Sequence, residues 1–343
     1  MADGSNGTEA DLRIIQFRDD KGQRKVGLVE ADGDHALTLN GVATVYDLAN
    51  MALDRGTGLA ALATELAKGE RVDYAALLKA GQVLPPIDHP EPARFLITGT
   101  GLTHTGSAAA RNKMHTVTHG SNAPESDSMK IFRMGIEGGK PAKGQIGVQP
   151  EWFFKGTSHC VVPPGAPLPS PAFALAGAEE PEVVGIYILD KNGAPFRVGF
   201  TLGNEFSDHV TEAQNYLFTA HSKLRACSIG PELLLGELPH EIRGKTRVIR
   251  DGKTLWEDDF LSGEANMSHS VANLEHHHFK YDMFRRPGDL HAYFFGAAVL
   301  SYASGVKTQP GDEFEIVAPV FGKPLRNRME TVKDEGLVTV RAL

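Results

Sequence analysis

Three glutamates in this 343-residue chain are spaced so that they could meet. Glu180 and Glu182 open the apolar run Val-Val-Gly-Ile-Tyr-Ile-Leu, and Glu205 closes the next one, in Leu-Gly-Asn-Glu-Phe-Ser-Asp-His. Between the runs lies Asp190-Lys191-Asn192-Gly193, and Asn-Gly between alternating apolar stretches signals a two-residue hairpin turn. With Asn192 and Gly193 as the loop, position 191 faces 194, and counting back along both strands brings Glu180 opposite Glu205. Glu182 lies two residues along on the same sheet face. Three carboxylates so placed repel one another unless a cation neutralises them. An all-oxygen set suits a hard ion, Mg2+ or Mn2+. The competing account is three solvated acids at strand ends, with Glu179 beside them because turns are polar. Spacing alone weighs the two equally.

Other candidates are weaker. Lys223, in Ala-His-Ser-Lys-Leu-Arg-Ala, follows the Glu205 segment. It reads either as an ordinary solvated lysine or as a group that moves a proton beside a metal-bound carbonyl. Gly99-Thr100-Gly101 follows a strand-like run, but the third glycine of a dinucleotide fingerprint falls on His104 and the pattern fails. His276-His277-His278 point in different directions on a helix, so convergence on one ion is not expected. Neither a G-x-S-x-G elbow nor a P-loop occurs.

The elements that would position these residues can be read from periodicity. Residues 12–40 alternate like a small antiparallel meander, with Lys21-Gly22 and Asp32-Gly33 as turns. Residues 44–80 change to helical spacing, through Val45, Leu48, Ala49 and Ala52, then Leu59, Leu62 and Leu66, then Tyr74, Leu77 and Leu78. The Pro-rich connector Pro85 to Pro92 breaks both patterns. The reading is a polar tail at 1–11, a small N-terminal α/β domain at 12–92, and a strand-rich domain at 93–343. Within the last, a helix is expected after Ser207, capped by Ser207 or Asp208, with Val210, Ala213, Gln214 and Leu217 on one face. Others are a helix from Ser270 to Phe279 and strands at 293–300 and 312–317. Residues 106–150 read as a long polar, Gly-rich lid or binding loop.

Composition narrows the classes. With 41% apolar residues the chain can bury a large core, and no run approaches the roughly 18 apolar residues of a membrane span. A formal charge of −8 disfavours nucleic acid and anionic membrane as partners and favours a small molecule. Cys160 and Cys227 cannot build a disulfide framework, and the polar N-terminus has no secretory h-region. A cytoplasmic setting is the simplest expectation.

From Arg94 to about Asn327 the chain resembles the fumarylacetoacetate hydrolase superfamily. Its E-x-E stands here as Glu180-Pro181-Glu182, its N-D-x-S as Asn204-Glu205-Phe206-Ser207, its G-K-S-like lysine as Ser222-Lys223, and its late P-G-D as Pro310-Gly311-Asp312. Pro150 to Lys155 is similar to the segment leading into the family core. The resemblance implies an α+β, strand-rich fold with a mixed β-roll catalytic domain, a divalent cation on Glu180, Glu182 and Glu205, and a homodimer. It places Thr103, Lys155, Ser207 and His209 at the substrate.

The departures are as informative. Glu205 replaces the usual aspartate, and His209 stands where many members carry arginine. The water-activating His and Glu of the hydrolases fall on Ser107 and Ala110, neither of which can act as that base pair. Stretches 98–106, 203–210 and 262–269 resemble the sugar-acid branch, the 2-keto-3-deoxy-pentonate dehydratases. That resemblance implies a hydro-lyase in which the ion chelates the C1 carboxylate and C2 carbonyl and stabilises an enolate. Lys223 would transfer the C3 proton, Ser107 or His104 would serve the departing C4 hydroxyl, and the product would be 2,5-dioxopentanoate. The alternatives are a hydrolase cleaving the C–C bond of a 2,4-diketo acid, and a non-catalytic sugar-acid sensor.

Overall fold

The computed structural model describes residues 12–105, 126–334 and 336–343. The expected meander forms from β1 (Arg13–Arg18), β2 (Arg24–Val29) and β3 (His35–Leu39), each antiparallel to the next. Helix α1 (Val45–Arg55) begins where the Thr44 hydroxyl accepts from the Asp47 N–H at 3.0 Å, and it ends at Gly56, whose φ of 62° few other residues adopt. Its Val45, Leu48, Ala49 and Ala52 are buried, the face their spacing marked out. Helix α2 (Leu59–Leu66) follows, and then an element the periodicity concealed. β4 (Ala67–Asp73) pairs with β3 as an edge strand rich in Lys, Glu and Arg, so it has no apolar alternation to detect. Helix α3 (Tyr74–Lys79) is capped by the Asp73 carboxylate.

Beyond the connector come β5 (Phe95–Gly99), helix α4 (Asp127–Gly138), β6 (Phe153–Thr157), β7 (Val161–Val162) and β8 (Leu168–Ser170). The central hairpin is β9 (Pro181–Leu189) and β10 (Pro195–Asn204). All nine residues of β9 are buried, as a strand covered on both faces must be, and this explains its near-continuous apolar run. Helices α5 (His209–Gln214) and α6 (Thr219–Lys223) lead into β11 (Cys227–Ile229) and β12 (Leu233–Leu234). A long hairpin of β13 (Ile242–Arg250) and β14 (Lys253–Ser262) precedes α7 (Val271–Phe279), β15 (Leu290–Phe294), β16 (Glu313–Val317) and β17 (Leu325–Thr331).

Two sheets result. The larger runs β4-β3-β2-β1-β12-β10-β9-β15-β5-β6, with β11 and β7 joined at β10; the smaller runs β14-β13-β16-β17-β8. Parallel pairs β15–β5, β11–β7 and β17–β8 among antiparallel neighbours make both mixed, the strand-rich α+β architecture expected from the sequence. One apolar core lies between the large sheet and α1 and α2, and another lies where Phe200, Leu202 and Tyr293 meet Phe260, Ile316 and Phe321 of the second sheet region.

The turns differ from expectation in an instructive way. Asp190 pairs with Ala194, so the loop at Lys191-Asn192-Gly193 has three residues, not two. An irregularity at Val198 then shifts the register by one, so that Asn204 faces Pro181 and the Glu205 N–H reaches the Glu180 carbonyl at 3.0 Å. The two offsets cancel, and the expected opposition of Glu180 and Glu205 stands. The true two-residue turn is Asp251-Gly252, with φ of 51° and 74°, closing the β13–β14 hairpin that the sequence reading passed over. The helix after Ser207 is interrupted: Asn215 is extended at φ −160°, and Leu217 is exposed rather than on a buried face. The expected strand at 293–300 begins earlier, at Leu290, and ends at Phe294.

A buried clasp ties the first strands to the rest. The Glu232 carboxylate, on the residue before β12, accepts from Arg13 Nε at 2.8 Å, Tyr74 Oη at 3.0 Å and the Lys323 N–H at 2.7 Å. Glu232→Ala strips three donors of a fully buried acceptor. We expect a loss of about 3 kcal/mol in urea unfolding; a loss under about 0.5 kcal/mol would show that the clasp carries no stability.

Candidate metal and active site

The hairpin ends where the chemistry gathers. Ligand oxygens of Glu180, Glu182 and Glu205 all lie within 4.8 Å of one another, and all three side chains are buried, Glu205 completely. Solvated strand-end acids are thereby excluded. Two lysines thread the group. Lys223 Nζ, at the end of α6, bonds Glu180 Oε1 and lies 2.5 Å from Glu205 Oε2. Lys155 Nζ, from β6, donates to Glu205 Oε1 at 2.5 Å, the Phe206 carbonyl at 2.8 Å and the Lys223 carbonyl at 3.0 Å. All three Lys155 protons are thus spent on holding Glu205 and the α6 terminus.

The electrostatics follow. Burial alone would push the Lys223 ammonium down, but Glu180 and Glu205 overcome it and hold it well above the ordinary lysine value. Burial pushes Glu180 up, and Lys223 with His209 more than reverses that, leaving it below the usual carboxylate range. Glu182 goes the other way: burial, then Glu205 and Glu180, raise it well above normal. Its hydrogen-bond donor among the described residues is the Gly296 N–H at 2.7 Å, and no ion pair there reaches it. Two cations against three carboxylates leave the deficit on Glu182, and a hard divalent ion on this oxygen set would relieve it. The residues therefore fit the cation the sequence implied.

His209 Nε2 lies 3.0 Å from Glu180 Oε1, and its ring stacks on Tyr302 at 5.2 Å. Asp208, not Ser207, caps α5, accepting from the Thr211 N–H. Ser207 instead turns its hydroxyl to Glu205, 2.8 Å from the carbonyl and 3.1 Å from Oε2. Thr103 bonds the Phe295 carbonyl and abuts Gly296, whose N–H holds Glu182. His104 sits beside it with both nitrogens engaged, Nδ1 on Thr103 at 2.9 Å and Nε2 on Ser262 at 3.0 Å. Ser107 and Ala110 lie outside the described residues.

The sequence reading missed Glu151. It is a buried carboxylate at the start of the segment leading to Lys155; a Cβ placed on Gly101 would stand 2.2 Å from its Oε2. Burial raises the Tyr293 phenol, and Glu151 and Glu182 add to that rise. The signal in the sequence was a lone acid amid Trp152, Phe153 and Phe154. Asp312 of the Pro-Gly-Asp turn is structural, gripping Arg250 through both oxygens at 2.8 Å. The histidine run does not converge: His278 Nε2 meets His291 Nδ1 at 2.9 Å, and His277 meets the Gly147 carbonyl.

Known proteins resemble this chain in sequence and in fold. A probable 2-keto-3-deoxyxylonate dehydratase of Haloferax volcanii is 30% identical over 236 residues, 67% of this chain and 68% of the relative. The chain belongs to the fumarylacetoacetate hydrolase superfamily. No family model matches it. In fold the superfamily member is similar to 2-keto-3-deoxy-D-arabinonate dehydratase complexed with magnesium and 2,5-dioxopentanoate, with a TM-score of 0.67 and 18% identity over 94% of this chain and 100% of that one. The 5-carboxymethyl-2-hydroxymuconate delta-isomerase of Mycobacterium smegmatis follows at a TM-score of 0.56 and 15% identity, covering 93% and 100%. No helix among the described residues is long and apolar enough to cross a membrane.

Burial holds His104 and His269 down at about 4 and His278 at about 3. Unfolding releases them to ordinary values, so the unfolded chain takes up protons that the folded chain refuses. Stability is therefore full above pH 6.5 and falls as pH drops toward 4. At pH 5 each of these costs roughly 2 kcal/mol. Urea unfolding at pH 7 and pH 5 should show the loss, and His278→Gln should shrink it by about that amount; an unchanged difference would contradict the assignment.

Proposed function

We propose that this chain is a Mg2+-dependent hydro-lyase that dehydrates 2-keto-3-deoxy sugar acids, pentonates in particular, to 2,5-dioxopentanoate. The observation that carries it is the buried trio Glu180, Glu182 and Glu205 with Lys223 bonded across two of them. The dehydratase names of the Haloferax relative and of the magnesium-bound neighbour point to the same reaction. When bound, Mg2+ supplies Lewis-acid polarisation of the 2-keto group, which makes the C3 hydrogens acidic.

The chain's own residues do the rest. Lys223 owes its raised basicity to Glu180 and Glu205. With those carboxylates committed to a cation, burial would weigh against the ammonium form, and Lys223 would be the base that takes the C3 hydrogen. Lys155 keeps Glu205 and the end of α6 in register while that happens. Ser207 and His209 orient Glu205 and Glu180, and Thr103 holds the loop whose Gly296 N–H fixes Glu182. Loss of the C4 hydroxyl as water needs a proton donor. Since both His104 nitrogens are engaged, Glu151 joins Ser107 and His104 as a candidate for that step.

In this reading residues 12–92 form the smaller domain, 93–343 the catalytic one, and the protein works as a cytoplasmic homodimer on a small-molecule 2-keto acid. Cleavage of a 2,4-diketo acid is less well supported, because water activation would need a base where Ser107 and Ala110 stand.

Incubation with Mg2+ and either 2-keto-3-deoxy-pentonates or acylpyruvates separates the two. Formation of 2,5-dioxopentanoate is expected; release of a carboxylic acid from acylpyruvate without dehydration would sink the lyase. Lys223→Met should lower kcat by about 10²- to 10⁴-fold, and a variant within about threefold of the parent would remove Lys223 from the chemistry.

A further inference from the structure

The two cysteines close a path between the segments that carry the two lysines. Cys160 ends the short turn after β6, five residues beyond Lys155; Cys227 opens β11, four residues beyond Lys223. Strands β7 and β11 run parallel with Val161 opposite Cys227, which sets Cys160 diagonally across from it. Cys160 packs against the same apolar core that contains Cys227, and each thiol perturbs the ionisation of the other. Cys227 is fully buried, whereas Cys160 is only partly buried and follows the exposed His159. The same segments are already joined once, by Lys155 Nζ on the Lys223 carbonyl at 3.0 Å.

We propose that Cys160 and Cys227 are a reversible disulfide modification site through which a hydroperoxide reaches the lysine pair. The Cys160 sulfur attacks the terminal peroxide oxygen, giving a sulfenic acid and an alcohol, or water from hydrogen peroxide. The Cys227 sulfur then attacks the sulfenic sulfur, forming the S–S bond and releasing water. Two thiols are oxidised by two electrons and one hydroperoxide is reduced. Both protons leave in the water and alcohol.

Two features favour this order. The Cys227 thiol and the nearby Lys155 ammonium outweigh burial and hold the Cys160 thiol below its ordinary value, while burial raises Cys227. The partly exposed sulfur is thus the attacking one and the sealed sulfur resolves it. Closing the bond draws the two sulfurs to bonding distance and pulls on the segments that lead back to β6 and α6. Lys155 and Lys223 move with those segments, and displacement of a proton-transfer group by a fraction of an ångström slows turnover.

The activity readout rests on the proposed dehydration, so a chemical readout stands beside it. The purified full chain is treated with hydrogen peroxide, thiols are titrated, and the Cys160–Cys227 cross-link is sought by mass spectrometry of the digest, before and after dithiothreitol. Expected are loss of both thiols, an intramolecular cross-link, and a fall in turnover of roughly tenfold, all reversed by dithiothreitol. Cys160→Ser should leave untreated turnover unchanged and remove both the cross-link and the slowing. If that variant folds poorly, Cys227→Ala serves instead: it should retain the Cys160 sulfenic acid, trapped by dimedone, without a cross-link. Persistence of both free thiols, or a cross-link without loss of turnover, would overturn the proposal. A cross-link in protein inactive on every 2-keto acid would count against the proposed reaction and leave the modification site standing.

Discussion

The site depends on one arrangement of charge: two lysines laced through three buried carboxylates. None of these groups would be tolerated alone, because an ion removed from water costs several kcal/mol unless it is paired and hydrogen-bonded. Lys155 is the fixed member, with every proton assigned and no side-chain exposure. Lys223 is the poised member, since its proton is held by two carboxylates that a divalent ion would claim. The remaining deficit falls on Glu182, the carboxylate without an ion pair among the described residues. One lysine thus builds the site and the other is kept ready to change state within it.

The backbone makes that arrangement reproducible. β9 is buried along all nine residues and held between β10 and β15, so the positions of Glu180 and Glu182 at its start are set by a buried ladder. β15 also leads directly to Gly296, whose N–H holds Glu182 and beside which Thr103 packs. α5 and α6 then return the chain so that Lys223 arrives over the opening of the hairpin. Residues from four separate stretches converge there: the start of β9, the end of β10, β6 and the last residue of α6.

Much of this was legible in the sequence, for physical reasons that can be named. The glutamate trio was readable because the hairpin period of two converts sequence spacing directly into facing positions, and α1 because its cap and apolar stripe agree. The reading was right about the opposition of Glu180 and Glu205 while wrong about the turn. A three-residue loop and the irregularity at Val198 each shift the register by one, and only hydrogen-bond pairing distinguishes that from no shift at all. β4 was hidden by its charged edge-strand composition, and the β13–β14 hairpin was overlooked despite its Asp251-Gly252 turn. Lys155 and Glu151 could be placed in a segment but not given partners, since their neighbours come from β10, α6 and the loop after β5. Tertiary contacts of that kind leave no periodic trace.

The most direct test of the account is calorimetric titration of Mg2+ into the chain and into Glu182→Gln, in the absence of substrate. One ion per chain is predicted for the parent, with affinity in the variant reduced at least about tenfold, equivalent to about 1.4 kcal/mol. Equal binding by the two proteins would contradict the claim that Glu180, Glu182 and Glu205 together form the cation site.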